Sequence, residues 1–213
     1  MTITTAMVFV IDDDDSVRKS LERVLDAADC SVELFKSASE FLSRTAHPGP
    51  SCVIVDVQMP GLTGIELQKA FIQHGREEQL VFITGHGNIP MCAEAMKAGA
   101  VDFLPKPFKR KELLESVERA LGRSVEQRRR VSKKNHARNL LDRLTPREFE
   151  VMELVAGGLL NKQVAGELGI AEKTVKCHRA KVMEKLEITS VAELMRVLQK
   201  AEVSPRDQTP TKV

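Results

Sequence analysis

The sequence predicts a doubly wound α/β domain with a parallel five-stranded sheet, followed by a small all-α domain built on a helix-turn-helix. Three observations lead there. Five short apolar runs recur at intervals of roughly 20–28 residues through the first 121 positions, with helical periodicity between them. Beyond position 144 the strand pattern stops, and helix starts alternate with glycine stops. Between the two parts lies a polar, basic stretch, GRSVEQRRRVSKKNHARNLLDR, with the composition of a connector.

The strand candidates are MVFVI (7–11), SVELF (31–35), CVIVD (52–56), LVFIT (80–84) and AVDFL (100–104). Several are continuously apolar, as in strands buried on both faces of a parallel sheet. Val17, Leu21, Val24 and Leu25 mark a helix after the first run, with Asp15 suited to its N-cap. Ser37 with Glu40 forms a capping box that opens a short helix on Phe41 and Leu42. Leu113, Leu114, Val117 and Leu121 mark the helix after the last run, and Val125 suggests that it continues outward. The α/β domain therefore spans 1–121, and residues 122–142 form a basic, partly helical linker. That linker is either a solvated helix holding the domains apart or a flexible tether. The helical domain follows at 143–201, and a disordered tail is expected at 202–213, with Pro205 and Pro210.

Composition excludes several classes. The 32 Lys+Arg and 30 Asp+Glu nearly balance, which argues against a histone-like chain, although the sum hides opposed regions. Residues 1–121 hold 13 basic and 18 acidic residues, and residues 122–143 hold 8 and 2. Residues 144–213 hold 11 and 10. With 8 Phe but no Trp or Tyr, a single-strand binder built on stacked aromatics is not expected. No apolar run approaches a membrane span, and residues 1–6 lack the basic start of a signal peptide, so a cytoplasmic protein without membrane contact is expected. Cys30, Cys52, Cys92 and Cys177 form no CxxC pair and read as reduced thiols. The five histidines show no metal-ligand spacing, so no zinc site is expected.

In a doubly wound sheet, ligands collect beyond the carboxyl ends of the strands. Here the first run leads into Asp12, Asp13, Asp14 and Asp15, and the third ends at Asp56. The fourth ends at Thr84, and Lys106-Pro107 follows the fifth. Carboxylates crowded at one edge repel each other, and a hard divalent cation relieves that repulsion. Mg²⁺ is commonly held by one or two carboxylates, waters and a phosphate oxygen. A lysine can then neutralise one phosphoryl oxygen while a threonine hydroxyl donates to another. The pattern suits a site that places a phosphoryl group on or beside a carboxylate.

The segments VFVIDDDDSVRKSL, DVQMPGLTGIEL and VFITGHGNIPMCAEAMKAGAVDFLPKPF resemble the receiver domain, flavodoxin-like in fold, of bacterial two-component response regulators. TGHG and AMKAGAVDFLPKPF look like the FixJ branch. The resemblance implies that Asp56 accepts phosphate from a sensor histidine kinase. It implies Mg²⁺ (or Mn²⁺) on Asp12, Asp13, Asp56 and the backbone carbonyl of Gln58. It further implies Thr84 and Lys106 as switch residues, Phe103 as an aromatic rotamer switch, and a cis peptide at Lys106-Pro107. A haloacid-dehalogenase-type phosphatase is the enzymatic alternative, because Asp12-x-Asp14-x-Ser16 approximates its nucleophile motif. That reading lacks an acidic pair at a later strand end and leaves Asp56, Met59-Pro60 and Gly64 unexplained. No phosphate-binding glycine loop follows any run, so nucleotide binding has no support and the chain reads as a non-enzyme.

In the second domain, Thr145-Pro146-Arg147-Glu148 supplies a capping box with proline at the first helical position. Phe149, Met152 and Val155 mark the buried stripe, and Gly157-Gly158 ends it. Asn161 can cap a second helix over Val164, Ala165 and Leu168, and Gly169 makes the turn. A third helix runs from about 172 to 186, and Ser190 with Glu193 opens a fourth on Leu194, Val197 and Leu198. On the third helix, Val175, His178, Val182 and Leu186 share one side, so His178 is expected packed and hydrogen-bonded. Lys173, Lys176, Cys177 and Ala180 share the other, flanked by Thr174 and Lys181. Such a basic face of short side chains suits a helix laid in a major groove.

LTPREFEVMELVAGGLLNKQVAGELGIAEKTVKCHRAKVMEKLEITSVAEL closely resembles the LuxR/NarL/FixJ-type DNA-binding domain. That implies DNA contacts from Lys173, Thr174, Lys176, Cys177, Arg179, Ala180 and Lys181. Two positions depart from the family pattern: Ala171 where a capping Ser or Thr is usual, and Ala180 where the residue is often polar. The expected whole is a phosphorylation-controlled transcription regulator, an activator, that dimerises on promoter DNA and meets RNA polymerase. The rival keeps the receiver and makes the helical output a protein-binding module.

Overall fold

Parallel strands form where apolar side chains can be covered on both faces, and the uninterrupted Val, Ile and Phe runs supply them. The computed structural model describes residues 6–85 and 89–204. Strands β1 (Met7–Ile11), β2 (Ser31–Phe35), β3 (Ser51–Asp56), β4 (Gln79–Thr84) and β5 (Asp102–Pro105) pair in parallel in the order β2-β1-β3-β4-β5. Helices α1 (Asp15–Asp26), α2 (Ala38–Ser43), α3 (Gly64–His74), α4 (Ile89–Lys97) and α5 (Arg110–Leu141) complete the alternation. Period-two geometry splits each strand between two cores. Phe9, Val53, Val55 and Phe82 pack with Phe41, Leu67 and Phe71 on one face. Val8, Val10, Ile54 and Ile83 pack with Leu21, Leu25, Leu113 and Val117 on the other. Each fully buried Phe, Leu or Ile contributes about 1.5–3 kcal/mol.

Three details differ from expectation. The last strand begins at Asp102, because Gly99 turns with φ +100° and leaves Ala100 and Val101 as a buried lead-in. Asp14, not Asp15, caps α1: its extended backbone lets the carboxylate accept from the Ser16 backbone N–H. Asp15 is the first helical residue and pairs with Arg18 and Lys19. Val125 is exposed, whereas Ser124 is buried and its hydroxyl accepts the Ser51 backbone N–H at 3.0 Å. The buried seam of α5 thus runs through Leu113, Val117, Ala120 and Ser124, the drift of a 3.6-residue period.

The chain divides into compact units Met1–Arg128 and Arg129–Val213. Helix α5 is continuous from Arg110 to Leu141. Its turn at Arg128 donates to the His47 and Pro48 carbonyls in the first unit. Ala137, Leu140 and Leu141 enter the core of the second.

That second core is closed by α6 (Pro146–Ala156), α7 (Asn161–Leu168), α8 (Glu172–Lys185) and α9 (Val191–Ala201). Both halves of the Thr145/Glu148 capping box are formed. The first residue of α7 is Asn161, and Leu160 takes the N-cap position, where the Gln163 side chain accepts its backbone N–H. Glu193 reaches back past its cap residue to the Thr189 N–H and hydroxyl. Glu202 and Val203 are not a loose tail. Glu202 closes α9 in the left-handed region and pairs with Lys134, and the Val203 N–H donates to the Leu198 carbonyl. Residues 205–213, including Pro205 and Pro210, lie outside the described residues.

Glu148 does more than cap. It is buried, and Lys185 on α8 donates to its carboxylate at 2.6 Å. The Lys185 hydrogen bond, with the Thr145 N–H behind it, holds the Glu148 carboxyl down at about 2. A depressed carboxylate stabilises the fold fully above its unfolded value near 4.5 and loses that contribution as pH falls toward about 2. Glu148→Gln should therefore cost about 1–2 kcal/mol at neutral pH. Urea denaturation followed by ellipticity should show the deficit at pH 7 shrinking at pH 3; an equal deficit at both pH values would contradict the assignment.

Candidate functional site

Register decides which strand ends meet. Ile11 pairs with Val55, so the residues after them, Asp12 and Asp56, sit side by side where β1 and β3 adjoin. That junction is the switch point of a 2-1-3-4-5 sheet. Asp12 is 1% exposed and Asp56 9% exposed, while Asp13 is exposed. Ligand atoms of the three carboxylates all lie within 4.8 Å of one another. Oxygen donors this close and this acidic suit a hard divalent cation.

Lys106 answers the repulsion from the other side. Its Nζ donates to Asp12 Oδ2 at 2.8 Å and to Asp56 Oδ2 at 2.7 Å. Its backbone N–H donates to the Thr84 carbonyl at 2.7 Å, so the ends of β4 and β5 are tied beside the carboxylates. Thr84 is 1% exposed at the end of β4. Burial pushes the Asp12 carboxyl above its ordinary value, against the Lys106 and Asp14 N–H hydrogen bonds that pull it down. Burial alone would lower Lys106, but the Asp12 and Asp56 carboxylates outweigh it and hold the ammonium above its ordinary value. The Lys106-Pro107 peptide is cis. Gln58 is exposed at the rim, its N–H donating to Asp56 Oδ1 at 3.1 Å. Phe103 is half-buried on β5, its ring 6.0 Å from that of Phe82.

Two supports escape a reading of the sequence. The Arg18 guanidinium donates to the Asp12 carbonyl at 2.7 Å, fixing the backbone of a site carboxylate from one turn into α1. The Asp14 N–H donates to Asp12 Oδ1 at 2.9 Å, so the helix cap also orients the site. Nothing in the spacing of Arg18 marks it out.

The basic helix face expected from the sequence lies in the other unit. On α8, Val175, Val182 and Leu186 are buried, and Lys173, Thr174, Lys176, Cys177, Ala180 and Lys181 are exposed, as the periodicity predicts. Lys176 lies 3.4 Å from Glu172 one turn earlier. Arg179 departs from that face: half-buried, it donates to Asn161 Oδ1 at 3.1 Å and so joins α8 to the start of α7. His178 turns inward as expected. Its Nδ1, however, is buried with no hydrogen-bond partner among the described residues, which corrects the expectation of a bonded ring. The helix start at Ala171 has no side-chain cap. Cys30, Cys52, Cys92 and Cys177 are unpaired. No helix among the described residues is long and apolar enough to cross a membrane.

Comparison with known proteins supports both halves. Residues 8–118 match the response regulator receiver domain, and residues 142–198 match the bacterial regulatory proteins of the luxR family. The chain is 43% identical over 210 residues to nodulation protein W of Bradyrhizobium diazoefficiens, covering 99% of this chain and 92% of that protein. It is 41% identical to the transcriptional regulatory protein FixJ of Azorhizobium caulinodans, covering 96% and 97%. Among solved structures, response regulator StyR matches with a TM-score of 0.83 at 45% identity, over 92% of this chain and 99% of that one. Full-length FixJ from B. japonicum matches with a TM-score of 0.55 at 38% identity, over 93% and 98%.

Gly64 completes the site from beneath. It opens α3 beside Asp56, and a Cβ there would lie 2.5 Å from the Asp56 carbonyl oxygen and 3.1 Å from the Val57 Cα. Both obstacles are backbone and cannot rotate away. Gly64→Ala should therefore displace the Asp56 loop and destabilise the first unit by about 1–3 kcal/mol. A urea midpoint equal to that of the unsubstituted protein would show that the loop yields without cost.

Proposed function

The chain belongs to the response regulators that join a receiver domain to a LuxR-type DNA-binding domain, and from that premise we propose that Asp56 is its phosphoacceptor. The observation that carries this is the Lys106 ammonium bridging Asp12 and Asp56 at adjoining strand ends. An Asp56 carboxylate oxygen attacks phosphorus as the P–N bond to a kinase histidine breaks. Mg²⁺ (or Mn²⁺), when bound, offsets charge on the phosphoryl oxygens. The residues that would hold it are Asp12, Asp13, Asp56 and the Gln58 carbonyl, and the close grouping of the three carboxylates supports the aspartates of that set. Lys106 then exchanges its bond to Asp56 for one to a phosphoryl oxygen, and the Thr84 hydroxyl donates to another.

The backbone bond from Lys106 to Thr84 links that exchange to the carboxyl ends of β4 and β5, and Phe103 lies earlier on β5, opposite Phe82. We read the output as a population shift toward a homodimer formed through the face around α4 and β5. Paired reading helices then meet a pseudo-palindromic promoter, with half-sites about 10 bp apart. Lys173, Thr174, Lys176, Cys177, Ala180 and Lys181 would supply the contacts, and Arg179 would help to hold the helix for them. The receiver is taken as residues 1–121, the linker as 122–142 and the reader as 143–201. The reading includes cytoplasmic location, activation and contact with RNA polymerase.

Asp56→Asn should abolish Mg²⁺-dependent labelling by acetyl phosphate and the dimerisation that accompanies it. Continued stoichiometric labelling of that variant would overturn the assignment. Lys176→Ala should leave labelling intact and weaken operator binding by about 1–3 kcal/mol if it reads a base, or lower the salt slope by about 1 if it meets a phosphate. Gel-shift titration at matched salt distinguishes these outcomes, and unchanged affinity removes Lys176 from the contact set.

A further inference from the structure

The way α5 is held changes as it leaves the sheet. Leu113, Val117 and Ala120 hold it by apolar burial, and Ser124 is its last buried residue before Ala137. The turn that follows is held by hydrogen bonds instead. Ser124, Gln127 and Arg128 share one face, at the three- and four-residue spacing of helical neighbours. The Ser124 hydroxyl accepts the Ser51 backbone N–H at 3.0 Å. Gln127 Oε1 accepts the Gln79 side-chain amide at 2.7 Å. The Arg128 guanidinium donates to two successive carbonyls, those of His47 and Pro48, at 2.8 Å each. Arg128 is also the last residue of the first compact unit, and α5 continues beyond it into the second.

Two of these bonds grip the beginnings of strands whose other ends belong to the site. Ser51 opens β3, which closes on Asp56, and Gln79 opens β4, which closes on Thr84. Each strand has six residues, so about 17 Å of paired backbone joins the turn of α5 to the site. Both strands are paired along both edges, and every residue of β3 is buried. Close-packed interiors of this kind transmit a displacement rather than absorb it. The hydrogen-bonded turn is the yielding element at the far end. Water can replace each partner when it opens, so it gives way more readily than the apolar seam before it.

We propose that Ser124, Gln127 and Arg128 form a clasp that couples the state of Asp56 to α5, and through α5 to the reader. Phosphorylation alters the hydrogen bonds at the carboxyl ends of β3 and β4. The strands carry that displacement to their amino ends, and the clasp converts it into a change in how often this turn of α5 opens. Gln127 and Arg128 are positioning residues, since they sit at the opposite ends of the strands from Asp56 and Thr84.

The inference rests on the reading of Asp56 as phosphoacceptor, and its test keeps the two apart. Hydrogen exchange of the full chain is followed by mass spectrometry, with and without acetyl phosphate and Mg²⁺. In the unsubstituted protein, labelling should change exchange both around β4 and β5 and in residues 122–130. Gln127→Ala/Arg128→Ala should exchange about tenfold faster in residues 122–130 before labelling, as for the net loss of one or two hydrogen bonds. It should take the same amount of label, keep the change around β4 and β5, and lose the change in residues 122–130. Unaltered protection of residues 113–120 shows that its receiver is folded. Where protection falls throughout, Gln127→Ala alone, at an exposed position, carries the same expectations in smaller measure. A labelled chain with no change in residues 122–130 overturns the clasp and leaves the phosphoacceptor standing. A folded clasp variant with an intact response in those residues does the same. A chain that takes no label, or one that still takes it after Asp56→Asn, overturns the phosphoacceptor reading and the coupling with it.

Discussion

One ammonium group holds the receiver's functional edge together. The parallel register of β1 and β3 forces Asp12 and Asp56 to be neighbours, and both are nearly buried. At the separations found here, two like charges near a protein surface repel by roughly 3–4 kcal/mol. Lys106 crosses from the end of β5 to bridge both carboxylates, and its own main chain is tied to Thr84. Any group that competes for that ammonium acts on three strand ends at once. On the reading proposed above, a phosphorylated Asp56 would be such a group, since it would bring additional negative charge and new acceptor oxygens to the same place. Both nearly buried carboxylates thus share the ammonium of one side chain.

The surroundings serve that arrangement. Arg18 fixes the Asp12 carbonyl, the Asp14 N–H fixes its carboxylate, and Gly64 leaves room for the Asp56 main chain. A one-residue slip in the strand pairing would turn every core side chain to the opposite face, so two well-packed cores pin the register. The large apolar cores thus control the placement of a few charged atoms.

Much of this was legible in the sequence for a physical reason. Strands covered on both faces read as continuous apolar runs, so the residues that end a run or closely follow it fall at the sheet edge. Asp12, Asp56, Thr84 and Lys106 were found that way. Local ambiguities were not resolved so easily. Four consecutive aspartates can each cap a helix, and only the backbone angles select Asp14 over Asp15. Ser124 and Val125 are adjacent, and the slow drift of a helical seam decides which is buried. Arg18, Gly64 and the Arg179–Asn161 bond act across space, where single-sequence periodicity has no signal.

Helix α5 shows why the connector was hard to classify. Its early turns must bury an apolar seam against the sheet, and its final turns must bury Ala137, Leu140 and Leu141 against other helices. Between those duties no single apolar face persists, so the stretch reads as polar although it is helical throughout. Hydrophobic periodicity reports what a helix is packed against, and a helix that changes partners loses the pattern where it changes. The charges do not obey that restriction. They are densest where the apolar seam lapses, which is also where the side chains reach solvent. Charge and hydrophobicity therefore carry complementary information along α5: hydrophobicity marks where the helix is held by an apolar core, and charge is densest where that seam lapses.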